Sequence, residues 1–173
     1  MADEGKAKIK VRLYRFRNAL KDKVGYIGVP GGEPPRIDPA AMDKANAALE
    51  QMKEDYPDWV QKHIDDLRVH HARSVDTPGE RLRRYGLMRE IAHDMKGQGA
   101  TFGYPLITTF ATSLHDFVGP KAGTTDSHIE VIKSHIDAMA AVIKDRVKGN
   151  GGEIGQALTK GLQDAIERYS KIN

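Results

Sequence analysis

The chain contains no cysteine, a single tryptophan, and aromatic residues at only 6% of its 173 positions. Without cysteine there are no disulfides, thiolate zinc sites or thiol nucleophiles. No apolar run approaches the roughly 20 residues that cross a bilayer. The opening residues, MADEGKAKIK, lack the apolar core of a secretory signal. Glycine-rich phosphate loops of the P-loop or kinase type are missing as well, so autonomous use of ATP is not expected. These absences lead to the expectation of a cytoplasmic protein without a membrane span. A charged share of 29% beside so few aromatics favours a helical bundle over a β-sandwich. The length suits one domain with appendages and a substantial core.

The net charge of +3 is unevenly spread. Residues 1–37 hold nine Lys/Arg against four Asp/Glu, whereas the rest holds 18 against 20. The basic character therefore belongs to the N-terminal arm (Lys6, Lys8, Lys10, Arg12, Arg15, Arg17), and the remainder is close to neutral, which argues against nucleic acid as a partner of the whole protein. Leu13, Phe16, Leu20 and Val24 give the arm a short amphipathic helix, with a strand through Ile9, Val11 and Leu13 as the alternative. Its surface is either a solvated flank or a contact for lipid, nucleic acid or an acidic protein. Residues 25–37 are rich in Gly and Pro and read as a linker.

Beyond the linker the pattern is helical throughout. Asp38-Pro39 is a helix start, carrying Met42, Ala45, Leu49 and Met52 along one face until Pro57 breaks or kinks it. Further helices are expected near 57–73, 78–98, 103–118 and 126–148, the last being the longest, and a final one near 153–169. Leu106, Ile107, Phe110, Leu114 and Phe117 mark one inner face. Ile129, Ile132, Ile136, Met139 and Ile143 mark another, and Ile154, Leu158, Leu162, Ile166 and Tyr169 a third. Trp59 and the methionines at 42, 52, 88, 95 and 139 are assigned to the core. Four consecutive helices with short connections suit an antiparallel up-and-down four-helix bundle, with the helices near 38–54 and 153–169 outside it. The expected domains are 1–37 as arm and linker, 38–149 as the bundle (core 57–148), and 150–173 as a C-terminal helix.

The candidate site lies in residues 91–103, IAHDMKGQGATFG. At about 100° per residue, Leu87, Met88, Ile91 and Met95 cluster roughly opposite His93 and would form the buried stripe. Gly86, Arg89, Glu90, Lys96 and Gly97 surround the histidine. Two glycines on one exposed helix face cost about 1 kcal/mol each relative to alanine. A bare backbone beside an imidazole would let another protein's active site approach closely.

The run His93-Asp94-Met95-Lys96-Gly97, with Gly103 ahead of a leucine-bearing helix, resembles the signature of the histidine-containing phosphotransfer (HPt) domain, the shuttle module of bacterial phosphorelays. Gln98 and Gly99 stand where the family often has small Ser or Ala residues. The resemblance implies that His93 accepts a phosphoryl group from a receiver-domain aspartate and passes it to another receiver. It implies that Lys96 pairs with phosphoryl oxygens, Gly97 and Gly86 admit the receiver's loops, Arg89 steers its acidic pocket, and Gly103 shapes the following loop. The implied partners are receiver domains of hybrid histidine kinases and response regulators. The chain itself needs no cofactor, since the receiver supplies Mg²⁺. A free-standing, monomeric intermediate is expected, and the rival is a helical adaptor that binds receivers or other proteins without being phosphorylated.

The other histidines carry weaker expectations. His63, His70 and His71 share a helix, and His128 and His135 lie two turns apart, about 10 Å along the axis, too far to chelate one ion. No metal site is expected. His115, beside Asp116, reads as a surface residue at a helix end.

Overall fold

A computed structural model describes residues 38–172 of the chain, and every described element is helical. The expectations for the basic arm and the linker, residues 1–37, lie outside the described residues. Two compact units divide at Asp43, and the second, Lys44–Asn173, holds the core.

Five α-helices follow one another: α1 over Pro39–Asp76, α2 over Arg81–Gln98, α3 over Pro105–Phe117, α4 over Asp126–Lys144 and α5 over Gly152–Ile172. A 3₁₀ turn, Pro78–Glu80, leads into α2. At the start of α1 the Ala40 amide donates to Asp38 Oδ1 at 3.0 Å, so Asp38 caps the helix and Pro39 occupies the position where a missing N–H does no harm. Thr125 caps α4, its Oγ1 accepting from the His128 amide at 3.3 Å.

Pro57 does not divide α1. The helix continues through it for 38 residues, making α1 rather than α4 the longest. An interior proline costs about 3 kcal/mol locally, but Tyr56 and Pro57 are buried. The Tyr56 ring stacks on Phe102 with centroids 4.7 Å apart and meets Tyr104 at 5.6 Å. Aromatic packing of this kind favours the continuous helix over a break.

Helices α2 and α3, α3 and α4, and α4 and α5 pack pairwise in chain order. Tyr56, Val60, Ile64 and Leu67 of α1 join the same core, as does Leu162 of α5. The assigned face of α4 is buried at all of its named positions, and that of α3 at all but the half-buried Phe117. On α5 the stripe is shallower: Leu162 is buried, Leu158, Ile166 and Tyr169 are half-buried, and Ile154 is exposed. Met88, Met95 and Met139 are core residues, but Met42, Met52 and Trp59 are not, with 43%, 41% and 38% of their surfaces exposed. The stripe of α1 that reads as core before Tyr56 faces outward.

Arg81 ties three segments together from a buried position. Its Nε donates to the Ser74 carbonyl (3.0 Å), its Nη1 to the Thr124 carbonyl (2.5 Å), and its Nη2 pairs with Asp126 Oδ1 (2.7 Å). The α2–α3 loop is equally specified. Gly99 is buried against Thr108 and the Tyr104 carbonyl, where a Cβ would come within 2.8 Å of backbone atoms. The Ala100 amide donates to Thr108 Oγ1 (2.9 Å), and Gly103, at φ +88°, accepts from the Gly149 amide (2.9 Å). A positive φ there favours glycine, which accounts for Gly103 as loop geometry.

Candidate functional site

The buried face of α2 is formed by Arg81, Tyr85, Met88, Ala92 and Met95, while Leu87 and Ile91 are only half-buried. Relative to the stripe read from the sequence, the core direction is rotated by about 65°. This rotation puts His93 on the flank of the helix and not at its back, about 120° from the core direction. His93 is exposed there and faces the groove between α2 and α3.

The groove is a shallow cleft of about 410 Å³, lined by Gly86, Arg89, Glu90, His93 and Asp94 from α2 and by His115 from α3. The His93 and His115 rings stand with centroids 5.8 Å apart, inclined by 46°. His115 Nδ1 lies 3.0 Å from Asp116 Oδ1. With only 13% of its side chain exposed, His115 is a wall of the cleft rather than a free helix-end residue. That corrects the sequence reading, which missed it. A single helix's periodicity says which residues leave the core, not which neighbouring helix they then face.

The remaining candidates fall around this cleft in different ways. Gly86 is in its lining, exposed, and a Cβ added there would meet nothing within 4 Å. Gly97 is equally open but lies outside the lining, as does the half-buried Lys96. Lys96 stands three residues beyond His93, and side chains at that spacing on a helix are neighbours, about 5–6 Å apart at Cβ. Gln98 is half-buried near the helix end. The charges in the cleft are mixed, with Arg89 opposed by Glu90, Asp94 and the adjoining Asp116.

His128 and His135 share a face of α4, but that face is the core. His135 is fully buried and satisfied: Nδ1 donates to the Val131 carbonyl (2.8 Å) and Nε2 meets Ser113 Oγ (2.9 Å). His128 is 2% exposed and stacks on Phe117 at 4.1 Å with an interplanar angle of 10°. Tyr85 and Tyr169 flank it at 5.4 and 5.2 Å. Neither ring nitrogen of His128 has a hydrogen-bond partner among the described residues. Burial holds both imidazoles down to a pKa of about 4; for His128 the Phe117 backbone opposes this without reaching hydrogen-bonding geometry, and for His135 the Val131 carbonyl opposes it. Among the described residues, no three His, Asp or Glu side chains are grouped to hold a metal ion, and no helix is long and apolar enough to cross a membrane.

Comparison with known proteins gives no matching family model, no matching curated protein and no matching solved structure.

Proposed function

We propose that this chain is a phosphorelay intermediate, in which His93 accepts a phosphoryl group from a receiver-domain aspartate and passes it to a second receiver. The reading includes the finer architecture, an antiparallel up-and-down four-helix bundle of HPt type with additional N- and C-terminal helices. It also includes a cytoplasmic location and a monomeric chain. The observation that carries it is an exposed imidazole on a helix flank, beside a cleft, with open backbone at Gly86 and Gly97 on either side and a lysine one turn on.

The chemistry asks little covalent work of the protein. The lone pair of a neutral His93 nitrogen attacks phosphorus, the P–O bond to the aspartyl group breaks, and the carboxylate leaves with the electron pair. Catalysis of such transfers is mainly in-line placement and neutralisation of charge on the phosphoryl oxygens. Lys96 supplies a cation one turn from the acceptor, and Arg89 contributes a second at the cleft. Mg²⁺ comes with the receiver.

The test is transfer from a panel of phosphorylated receiver domains to the wild type and to His93→Gln. Acid-labile, alkali-stable label on the wild type alone supports the proposal. Receivers that bind the chain but never label it would replace it with the adaptor reading.

A further inference from the structure

The second imidazole in the cleft has no part in the chemistry above, and its surroundings give it one. We propose that His115, oriented by Asp116, binds the phosphoryl group on His93 by donating a hydrogen bond from Nε2, taking up a proton as the group arrives. This rests on His93 being the phosphoacceptor.

Asp116 fixes the tautomer of this ring. A carboxylate accepts hydrogen bonds only, so the 3.0 Å contact places a proton on His115 Nδ1. That leaves Nε2 as the nitrogen available to the cleft. In the neutral ring it is an acceptor, and it donates only when the ring carries both protons. The two rings make no hydrogen bond with each other, yet at 5.8 Å between centroids they are neighbours. A group added at the tip of His93 therefore comes within reach of His115. A phosphoryl group brings close to two negative charges. Together with Asp116 it places anionic groups on both sides of the His115 ring, which favours the doubly protonated form.

The other charged groups at the cleft do not cancel this effect. Glu90 and Asp94 on α2 add to the negative field, and Arg89 on the same helix opposes it. Lys96 reaches the phosphoryl oxygens from α2, and α3 carries no Lys or Arg, so His115 is the group that can bring positive charge from that side of the cleft. The proton comes from solvent. The N–P bond is formed on His93 alone, and His115 is not phosphorylated.

The experiment uses the full chain labelled with ¹⁵N-histidine and phosphorylated with potassium phosphoramidate. The imidazole ¹⁵N shifts of His115, assigned with His115→Gln, are followed from pH 5.5 to 9 before and after phosphorylation. The titration midpoint of His115 is expected to rise by at least one pH unit, a tenfold gain in proton affinity, when His93 carries the group. His93→Gln should abolish that rise. His115→Gln, with unchanged far-UV circular dichroism, should label about tenfold more slowly, as expected for loss of a charge-assisted hydrogen bond. Phosphorylation of His93 with an unmoved His115 titration overturns this inference and leaves the phosphoacceptor reading intact. Failure of His93 to label from both phosphoramidate and receivers overturns the two together.

Discussion

Two imidazoles in the core make the stability of this protein depend on pH in a way that can be calculated. His128 and His135 are held at pKa values of about 4, against 6.5 in an unfolded chain, because burial disfavours their charged forms. Between those values the unfolded state binds more protons than the folded one, so stability rises with pH across the window and falls as the solution is acidified. The contribution is fully present above about pH 7 and lost as pH drops through the folded values. Integrated from pH 7 to pH 5, each histidine costs the fold about 2 kcal/mol, and the pair about 4 kcal/mol. Total stability is typically about 5–15 kcal/mol, so the loss is a large fraction of it. His70, also lowered by burial and then by the Arg84 charge, adds in the same direction. The informative variant is His128→Phe. It keeps the stack on Phe117 and removes a ring with no hydrogen-bond partner among the described residues. Urea melts followed at 222 nm from pH 7 to pH 5 should show the wild type losing about 4 kcal/mol and the variant about 2 kcal/mol. The larger phenyl ring shifts the absolute stability at both pH values alike, so the slope is the test. A variant that retains the full wild-type slope would show that His128 is not held neutral by burial.

Other substitutions probe the joints of the fold and the cleft. Arg81→Ala leaves the Ser74 and Thr124 carbonyls without their buried donor and should cost about 3 kcal/mol or more in urea melts. Asp126→Asn removes only the partner whose side chain is 93% exposed, and should cost under about 1 kcal/mol. Gly99→Ala forces a methyl group against the backbone of Thr108 and Tyr104, with an expected loss of about 2 kcal/mol. Gly86→Ala meets open space and should raise stability by about 1 kcal/mol, while slowing labelling by receivers if the bare backbone admits their loops. A Gly86→Ala protein that is more stable and labels at the wild-type rate would remove the functional argument for that glycine.

How much of this was legible in the sequence depended on whether the deciding forces were local. Asp38-Pro39 reads as a helix start because the cap and the missing N–H act within one turn, and the apolar spacing of α4 identifies a face buried at every assigned position. Pro57 misleads because the local penalty is set against the burial of Tyr56 on Phe102 and Tyr104, residues nearly 50 positions away. The outward-facing Met42 and Met52 fail in the opposite sense, since spacing along α1 continues past the point where other described helices meet it, whereas Trp59 lies beside the buried Val60 and is 38% exposed with its ring 6.3 Å from Phe102. For α2 the difficulty is chemical. Its buried positions include Arg81 and the small Ala92, whereas Leu87 and Ile91, the larger aliphatics, sit at the margin. Ranking residues by hydrophobicity therefore turns the helix by about 65°. That one error leaves His93 exposed in either orientation, so the phosphoacceptor candidate survives it. The groove and His115 do not, because a residue opposite the core faces only solvent, and a residue on the flank faces the next helix. The pairing of His93 with His115 is thus a property of how α2 meets α3, and it is at that contact that the chemistry proposed for the cleft stands or falls.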